Sequence, residues 1–478
     1  MIEMRRIASF ARAPARPPRR NQSSARGTEG YRAAIGAGFA VLATLAAIYC
    51  AWPIWRAAFP LEISVDDTWN AYNADAAFGT RPLYPAADDL ITNNYPPLSS
   101  YLVGLLAKSG LDATYLGRAL SLLALIATAA ATAICIRKLG GSAGSAMLGG
   151  LWLLAMMARF FDGYVGVNDP HLPANALMTG ALAWLLARHR RRRAIEPAIV
   201  LMALAGFYKH TLVATPAAAL IWVSSMDWRR GVRAAVVGVA AALIGLLVCL
   251  TIFGSPFLDQ LLFARHYSLL RALHMSGRLQ WIAPALVIWA VWAWFAPDGD
   301  AKRFTQIHIA ASLAAFFLQS CADAVGNNSQ FELAVASAIG LGLAFDGAGQ
   351  LFASARKAQW TRLAILAVLV TRLLASTRME AYLLATSPEY RSLFPAGAAV
   401  MKQEVARIRA VPGPVACTIA AVCRLAGKPF VLDRFAMEQR IKAGRWTAGE
   451  LEARVRAAGI RNEPIDPRAS ADFLARRH

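Results

Sequence analysis

Long apolar runs, separated by short gaps in which arginine and lysine recur on every second gap, limit what this chain can become more than any other feature. A run of about 20 apolar residues matches the roughly 30 Å hydrocarbon core of a bilayer. The first such run extends from Ala33 to about Trp55, and others follow at about 115–137, 142–160, 172–188, 197–208, 211–226, 233–254, 281–296, 306–322, 331–346 and 360–376. The fold class that follows is a polytopic α-helical membrane protein of about eleven transmembrane helices. Of the 478 residues, 57% are hydrophobic and only 17% charged. A soluble domain is nearer a quarter charged. The runs 197–208 and 211–226 are short for a crossing and meet at Tyr208, Lys209 and His210, so they read as a bent hairpin.

The formal charge of +21 would point to nucleic acid in a soluble chain, but here the bases sit in the gaps. Arg137 and Lys138, Arg188 with Arg190 to Arg193, Arg229, Arg230 and Arg233, Lys302 and Arg303, and Arg356 and Lys357 all fall on one predicted side. The basic N-terminal tail, residues 1–32, falls on the same side. The rule that cytoplasmic loops are enriched in Lys and Arg then makes that side the cytoplasm, which excludes nucleic acid as the reason for the charge. An odd number of spans leaves the C-terminal segment outside.

Three units follow. Residues 1–32 read as a disordered basic cytoplasmic tail. Residues 33–376 form the membrane domain, with a first external loop at 56–114 and a second at 161–171. Residues 377–478 read as a small periplasmic soluble α/β domain, with short strands around 413–420 and 428–433 and helices over 398–409 and 448–458. Cys417 and Cys423 lie in that unit, where a disulfide is permitted. Its 17 Lys+Arg against 10 Asp+Glu leave it basic, a charge suited to anionic substrates or headgroups.

Chemistry-bearing residues gather on the outer side. Asp66 and Asp67 follow the first span almost directly. Two adjacent carboxylates near a bilayer surface are costly unless a cation or proton donor meets them. The same loop carries Arg81 and then Asn94, Tyr95, Pro96 and Pro97, after which an apolar stretch of about a dozen residues suits an interfacial or re-entrant helix. The second loop holds Asn168, Asp169, Pro170 and His171. These are oxygen and nitrogen donors suited to a divalent cation such as Mg or Mn, with Asp169 and His171 the candidate ligands, and they equally make a helix-entry turn. Lys209, on an otherwise apolar stretch, either reaches for the interface or neutralises an anion. His210 and Asn328 lie in neighbouring outer turns. Arg265, His266, Arg271, His274 and Arg278 read as a surface helix on anionic headgroups.

The order of these elements resembles the GT-C superfamily of membrane glycosyltransferases, in particular the branch with aminoarabinose transferases and protein O-mannosyltransferases. The resemblance rests on a first span, a long loop opening with Asp66 and Asp67, the segment Tyr95, Pro96, Pro97, Leu98 to Tyr101 and Leu102, and a second loop with Asp169. It implies a transferase that moves a sugar from a polyprenyl-phosphate donor to a lipid, glycan or protein acceptor at the outer face of a bacterial inner membrane. It further implies that Asp66 or Asp67 is the general base and that Asp169 completes the site. Arg81, Asn94, Tyr95, Lys209, His210 and Asn328 are the expected substrate contacts. Two other classes compete: a secondary transporter, which would show repeated halves and midplane charges, and a non-catalytic scaffold of the same fold.

Overall fold

The computed structural model describes residues 22–189, 195–263, 265–323, 325–351, 354–375 and 378–476. Most of the expected tail (residues 1–21) and the cluster Arg190 to Arg193 lie outside these. The part of the tail that is described is helical: α1 already begins at Gln22 and runs to Ala57.

Every apolar run of the sequence is helical. After α1 come α2 (Val65–Ala77), α3 (Leu98–Ala107), α4 (Ala113–Lys138), α5 (Ala143–Phe160), α6 (His171–Arg188), α7 (Glu196–Tyr208), α8 (Ala214–Met226) and α9 (Trp228–Phe253). The chain continues with α10 (Ser255–Leu261), α11 (Leu269–Ser276), α12 (Ala283–Phe295), α13 (Asp300–Ser320), α14 (Phe331–Leu351) and α15 (Ala355–Leu374). By length and apolar content alone, five segments among the described residues are able to cross a membrane: Glu29–Ala57, Ala113–Lys138, Ala143–Phe160, Trp228–Phe253 and Asn327–Gly349. A sixth arises if Leu269–Trp281 and Ala283–Phe295, bent by 82°, count together. The chain is a mostly helical polytopic membrane protein. The figure falls below the eleven runs because α7, α8 and α12 are only 13 residues each and α6, α13 and α15 carry polar residues along their length.

The bundle has a lipid-like side and a buried centre. Helix α9 is exposed along Val232, Val236, Val239, Leu243, Leu247 and Ile252, whereas α14 is buried over nearly its whole length. Helix α3 is the short apolar helix expected after Pro97, with Leu102, Leu105 and Leu106 outward.

The C-terminal segment departs from expectation. It contains α16 (Glu380–Thr386), α17 (Pro388–Ala410), β1 (Val415–Cys417), α18 (Ala420–Leu425), α19 (Arg434–Lys442), α20 (Ala448–Ala457), β2 (Arg461–Glu463) and α21 (Ala471–Ala475). Strands β1 and β2 pair in parallel, Ala416 opposite Asn462. The expected strand at 428–433 is absent, since Pro429 has no N–H to give a ladder and the segment is held along the first loop instead. There the Tyr72 hydroxyl donates to the Lys428 carbonyl (3.1 Å) and the Asp433 N–H to the Leu90 carbonyl (2.8 Å). Cys417 and Cys423 form a disulfide joining β1 to α18.

Nor does this segment have a core of its own. Tyr390 and Phe394 of α17 are fully buried against the end of α1, with Trp52 5.6 Å from Tyr390 and Trp55 4.6 Å from Phe394 between ring centroids. One hydrophobic cluster therefore runs from the membrane helices into the C-terminal segment. Gly397 makes the join possible. A Cβ there would lie 2.7 Å from the Arg468 carbonyl oxygen, so only glycine lets α17 approach the chain before α21.

Polar clamps complete the docking. Arg424 of α18 bridges Asp75 and Asp112, each at 2.8 Å. Buried Glu62 accepts from the Thr68 hydroxyl (2.8 Å) and from the Ala421 N–H (2.9 Å), which would otherwise be an unpaired donor at the start of α18. Burial pushes the Glu62 carboxyl up to about 7, against 4.5 for a free side chain. Between those values the folded chain holds a proton that the unfolded chain has lost. Its share of docking stability is therefore full below about pH 4.5 and is lost as pH rises through 7. The expected result is a C-terminal segment that limited proteolysis attacks faster at pH 8 than at pH 5, with Glu62→Gln flattening that dependence.

Candidate active site

The two adjacent carboxylates of α2 have opposite environments. Asp67 is fully sealed from solvent and forms an ion pair with Arg118 of α4, itself 2% exposed. The Arg118 Nε contacts both Asp67 oxygens at 3.1–3.2 Å. Its other nitrogens donate to the carbonyls of Ala57 (3.2 Å), Phe59 (2.6 Å) and Leu61 (2.6 Å), which lie where α1 ends. Asp67 Oδ1 also accepts the Asn168 N–H at 2.8 Å. With this many donors, Asp67 has no lone pair left for a substrate proton.

Asp66, one residue earlier, points the other way and is half-buried on a cavity of about 300 Å³. The first and second loops are tied beside it. The Asn70 amide donates to the Asp66 carbonyl (2.8 Å) and the Asn168 carbonyl (2.9 Å), while Asn168 reaches so close to α4 that any side chain at Gly117 would collide with it. These ties bring Asp169 near enough for its charge to disfavour ionisation of Asp66. Asp169 is 4% exposed; its Oδ1 accepts the His171 N–H (2.8 Å), and its Oδ2 has no hydrogen-bond partner among the described residues.

Lys209 supplies the compensating charge. It caps α7 in an extended conformation, with its ammonium 3.1 Å from the centroid of the Tyr95 ring, and Tyr95 packs edge-on against Trp69 at 4.9 Å. The turn that carries Lys209 is held from below by Glu332. That buried carboxylate accepts the backbone N–H groups of Val213, Ala214 and Thr215 at 2.7–3.1 Å, the free donors at the start of α8.

The charges tune one another. Burial raises the Asp66 carboxyl, Asp169 raises it further and Lys209 opposes both. Burial lowers the Lys209 ammonium, which Asp169 and Asp66 counteract and Arg265 reinforces. Burial holds His210 down to about 3, so its ring is neutral.

Of the residues expected from the sequence, Asp66, Asn94, Tyr95, His171, Lys209, His210 and Asn328 line the one cavity. Asp169 lies just behind it, in a small polar void with Ser99, Ser100 and Tyr208. Two expectations are corrected. Asp67 is a structural anion, and Arg81 is away from the cavity: it donates to the Tyr72 carbonyl (3.0 Å) and lies over the Phe430 ring. The donor set at Asp169 and His171 does not fit Mg or Mn. His171 Nδ1 accepts from the Asn328 amide (3.2 Å), and no three His, Cys, Asp or Glu groups converge as metal ligands among the described residues. The cavity also has members that sequence reasoning passed over. Arg265 is one, with no carboxylate within ion-pair distance among the described residues, and Asp433, Phe435 and Gln439 of the C-terminal segment are others.

The apo crystal structure of ArnT from Cupriavidus metallidurans superposes with a TM-score of 0.50 at 14% identity, covering 85% of this chain and 76% of ArnT. The chain shares the helical membrane fold of ArnT. ArnT bound to undecaprenyl phosphate aligns over the same 85% at a TM-score of 0.48. The archaeal oligosaccharyltransferase AglB from Archaeoglobus fulgidus, in complex with an inhibitory peptide and a dolichol-phosphate, gives 0.48 at 11% identity. This chain covers only 64% of AglB's length. No protein-family model and no curated protein sequence matches.

The two carboxylates should separate cleanly on substitution. Arg118→Leu leaves Asp67 buried and unpaired, a loss of about 3–5 kcal/mol, so the detergent-purified protein should melt far below wild type. Asp66→Asn should melt within a degree or two of it.

Proposed function

We propose that this protein is a glycosyltransferase that moves a sugar from a polyprenyl-phosphate lipid to an envelope acceptor at the outer face of a bacterial inner membrane. One observation carries the reading: Asp66 shares a cavity with two cations, Lys209 and Arg265, for which no ion pair forms among the described residues. A base and fixed positive charge in one pocket are what transfer from a phosphate-bearing donor requires. The GT-C fold supports the reading, and ArnT, which has been crystallised with undecaprenyl phosphate, supports the lipid class.

In this mechanism Asp66 takes the proton of the acceptor hydroxyl as that oxygen bonds to the anomeric carbon. The bond from that carbon to the phosphate oxygen breaks, and its electrons leave with the polyprenyl phosphate. Lys209 and Arg265 stabilise the charge that accumulates there. The charges of Asp169 and Asp66 favour the protonated form of Lys209. No step passes through a metal ion.

The membrane topology belongs to the same proposal. Counting α6, α7, α8, α12, α13 and α15 as crossings beside the five long spans gives eleven, with the N-terminus cytoplasmic and the cavity and residues 377–478 outside. The Arg- and Lys-rich gaps support that orientation, as does the disulfide between Cys417 and Cys423, a bond suited to an oxidising compartment.

Asp66→Asn should lower sugar transfer in membranes by about 10²–10⁴-fold, while Asp66→Asn at full rate in a folded protein would end the assignment. The pH–rate profile should be a narrow bell. Asp66 must be ionised and its raised carboxyl loses charge early as pH falls, so the acid limb lies above the ordinary Asp range of about 3.9; Lys209 must be protonated, so the alkaline limb lies below about 10.4.

A further inference from the structure

The cavity contains more polar capacity than the transfer step uses. Gln439 is 3% exposed and its Oε1 has no hydrogen-bond partner among the described residues. Thr211 Oγ1 and His210 Nδ1, on half-buried residues, likewise have no partner among the described residues. All three residues line the Asp66 cavity, yet they come from distant parts of the chain: His210 and Thr211 from the turn between α7 and α8, Gln439 from α19. A sealed polar atom without a partner is destabilising, so three around one cavity mark groups that a ligand satisfies.

Their chemistry is selective. The amide, hydroxyl and imidazole are uncharged, and burial keeps the imidazole neutral at physiological pH. They do not duplicate Lys209 and Arg265, which suit phosphate. Neutral donors and acceptors are what hydroxyl groups recognise. Phe435, on α19 beside Gln439, and Trp69 bring apolar faces to the same cavity, against which the C–H face of a sugar ring can rest. A cavity of about 300 Å³ is at the small end for ligand sites, room for one sugar unit with its phosphate and not for an oligosaccharide.

We infer that Gln439, Thr211 and His210 form a sugar-reading group that selects a single hydroxyl-bearing monosaccharide on the lipid donor, with Gln439 bringing the C-terminal segment into substrate choice. The inference rests on the transferase reading and adds a division of labour to it. Lys209 and Arg265 hold the phosphate whatever sugar it bears, and the neutral triad distinguishes one sugar from another. A site built to bond a hydroxyl rejects an analogue lacking it far more strongly than a site of apolar shape alone.

The test uses the full chain in detergent with two kinds of probe: undecaprenyl phosphate, and undecaprenyl phosphate carrying glucose, galactose, mannose or arabinose. In the wild type, at least one sugar-bearing lipid should bind about tenfold or more tighter than undecaprenyl phosphate. Gln439→Met and Thr211→Val, which keep shape and remove polarity, should each weaken that sugar-bearing lipid about tenfold and leave undecaprenyl phosphate within twofold. Lys209→Gln should weaken every lipid alike. Equal loss for both kinds of lipid in Gln439→Met and Thr211→Val overturns the inference and leaves the transferase reading standing. So does a wild type for which no sugar adds affinity. If the wild type binds none of these lipids, the transferase reading itself falls and the inference falls with it.

Discussion

The buried pair of Asp67 and Arg118 is the constraint on which the rest of the site depends. Arg118 gathers three carbonyls from the end of α1, and Asp67 gathers the guanidinium and the Asn168 N–H from the second loop. One ion pair thereby fixes α1, α2, α4 and the loop before α6 relative to each other. Two buried charges are costly to remove from water, and only the full set of hydrogen bonds offsets that cost. The outcome is positional: with Asp67 locked inward on the first turn of α2, Asp66 has to face the cavity.

A second buried carboxylate does similar work on the opposite wall. Glu332 caps the N-terminus of α8, and so satisfies the backbone where the chain breaks between α7 and α8. The broken hairpin is what places Lys209, His210 and Thr211 side by side on the cavity. Asp66 and Lys209 are thus each presented to the cavity by a buried carboxylate that does not line it.

Much of this was legible in the sequence, and the part that was not has a physical explanation. Apolar runs reported the helices, because a bilayer imposes a length on them. The acidic pair and the second-loop Asp marked the site, because carboxylates at a membrane boundary demand a reason. The sequence could not say which of Asp66 and Asp67 was free, since that depends on Arg118, a residue 51 positions away. A signal was present all the same: Arg118 is a lone charge inside an apolar run, and such residues have partners. Arg265 read as a headgroup contact because its stretch is amphipathic, whereas Arg81 read as a phosphate ligand by proximity to the motif. Gln439 had no signal at all. Its role comes from tertiary docking, and the expected independent domain concealed it, because Tyr390 and Phe394 pack on α1 and leave no boundary to find.

The continuity of that core has a consequence for how the protein is made. Asp433, Phe435 and Gln439, which line the cavity, are synthesised after Asp66, Lys209 and Arg265. During synthesis the carboxylate pair, Lys209 and Arg265 are all in place before their cover exists. The pocket becomes enclosed only when the segment that carries Asp433, Phe435 and Gln439 has docked on α1 and the first loop. Enclosure therefore waits on the docking of this segment, and a variant lacking residues 433–439 would leave the cavity open to solvent.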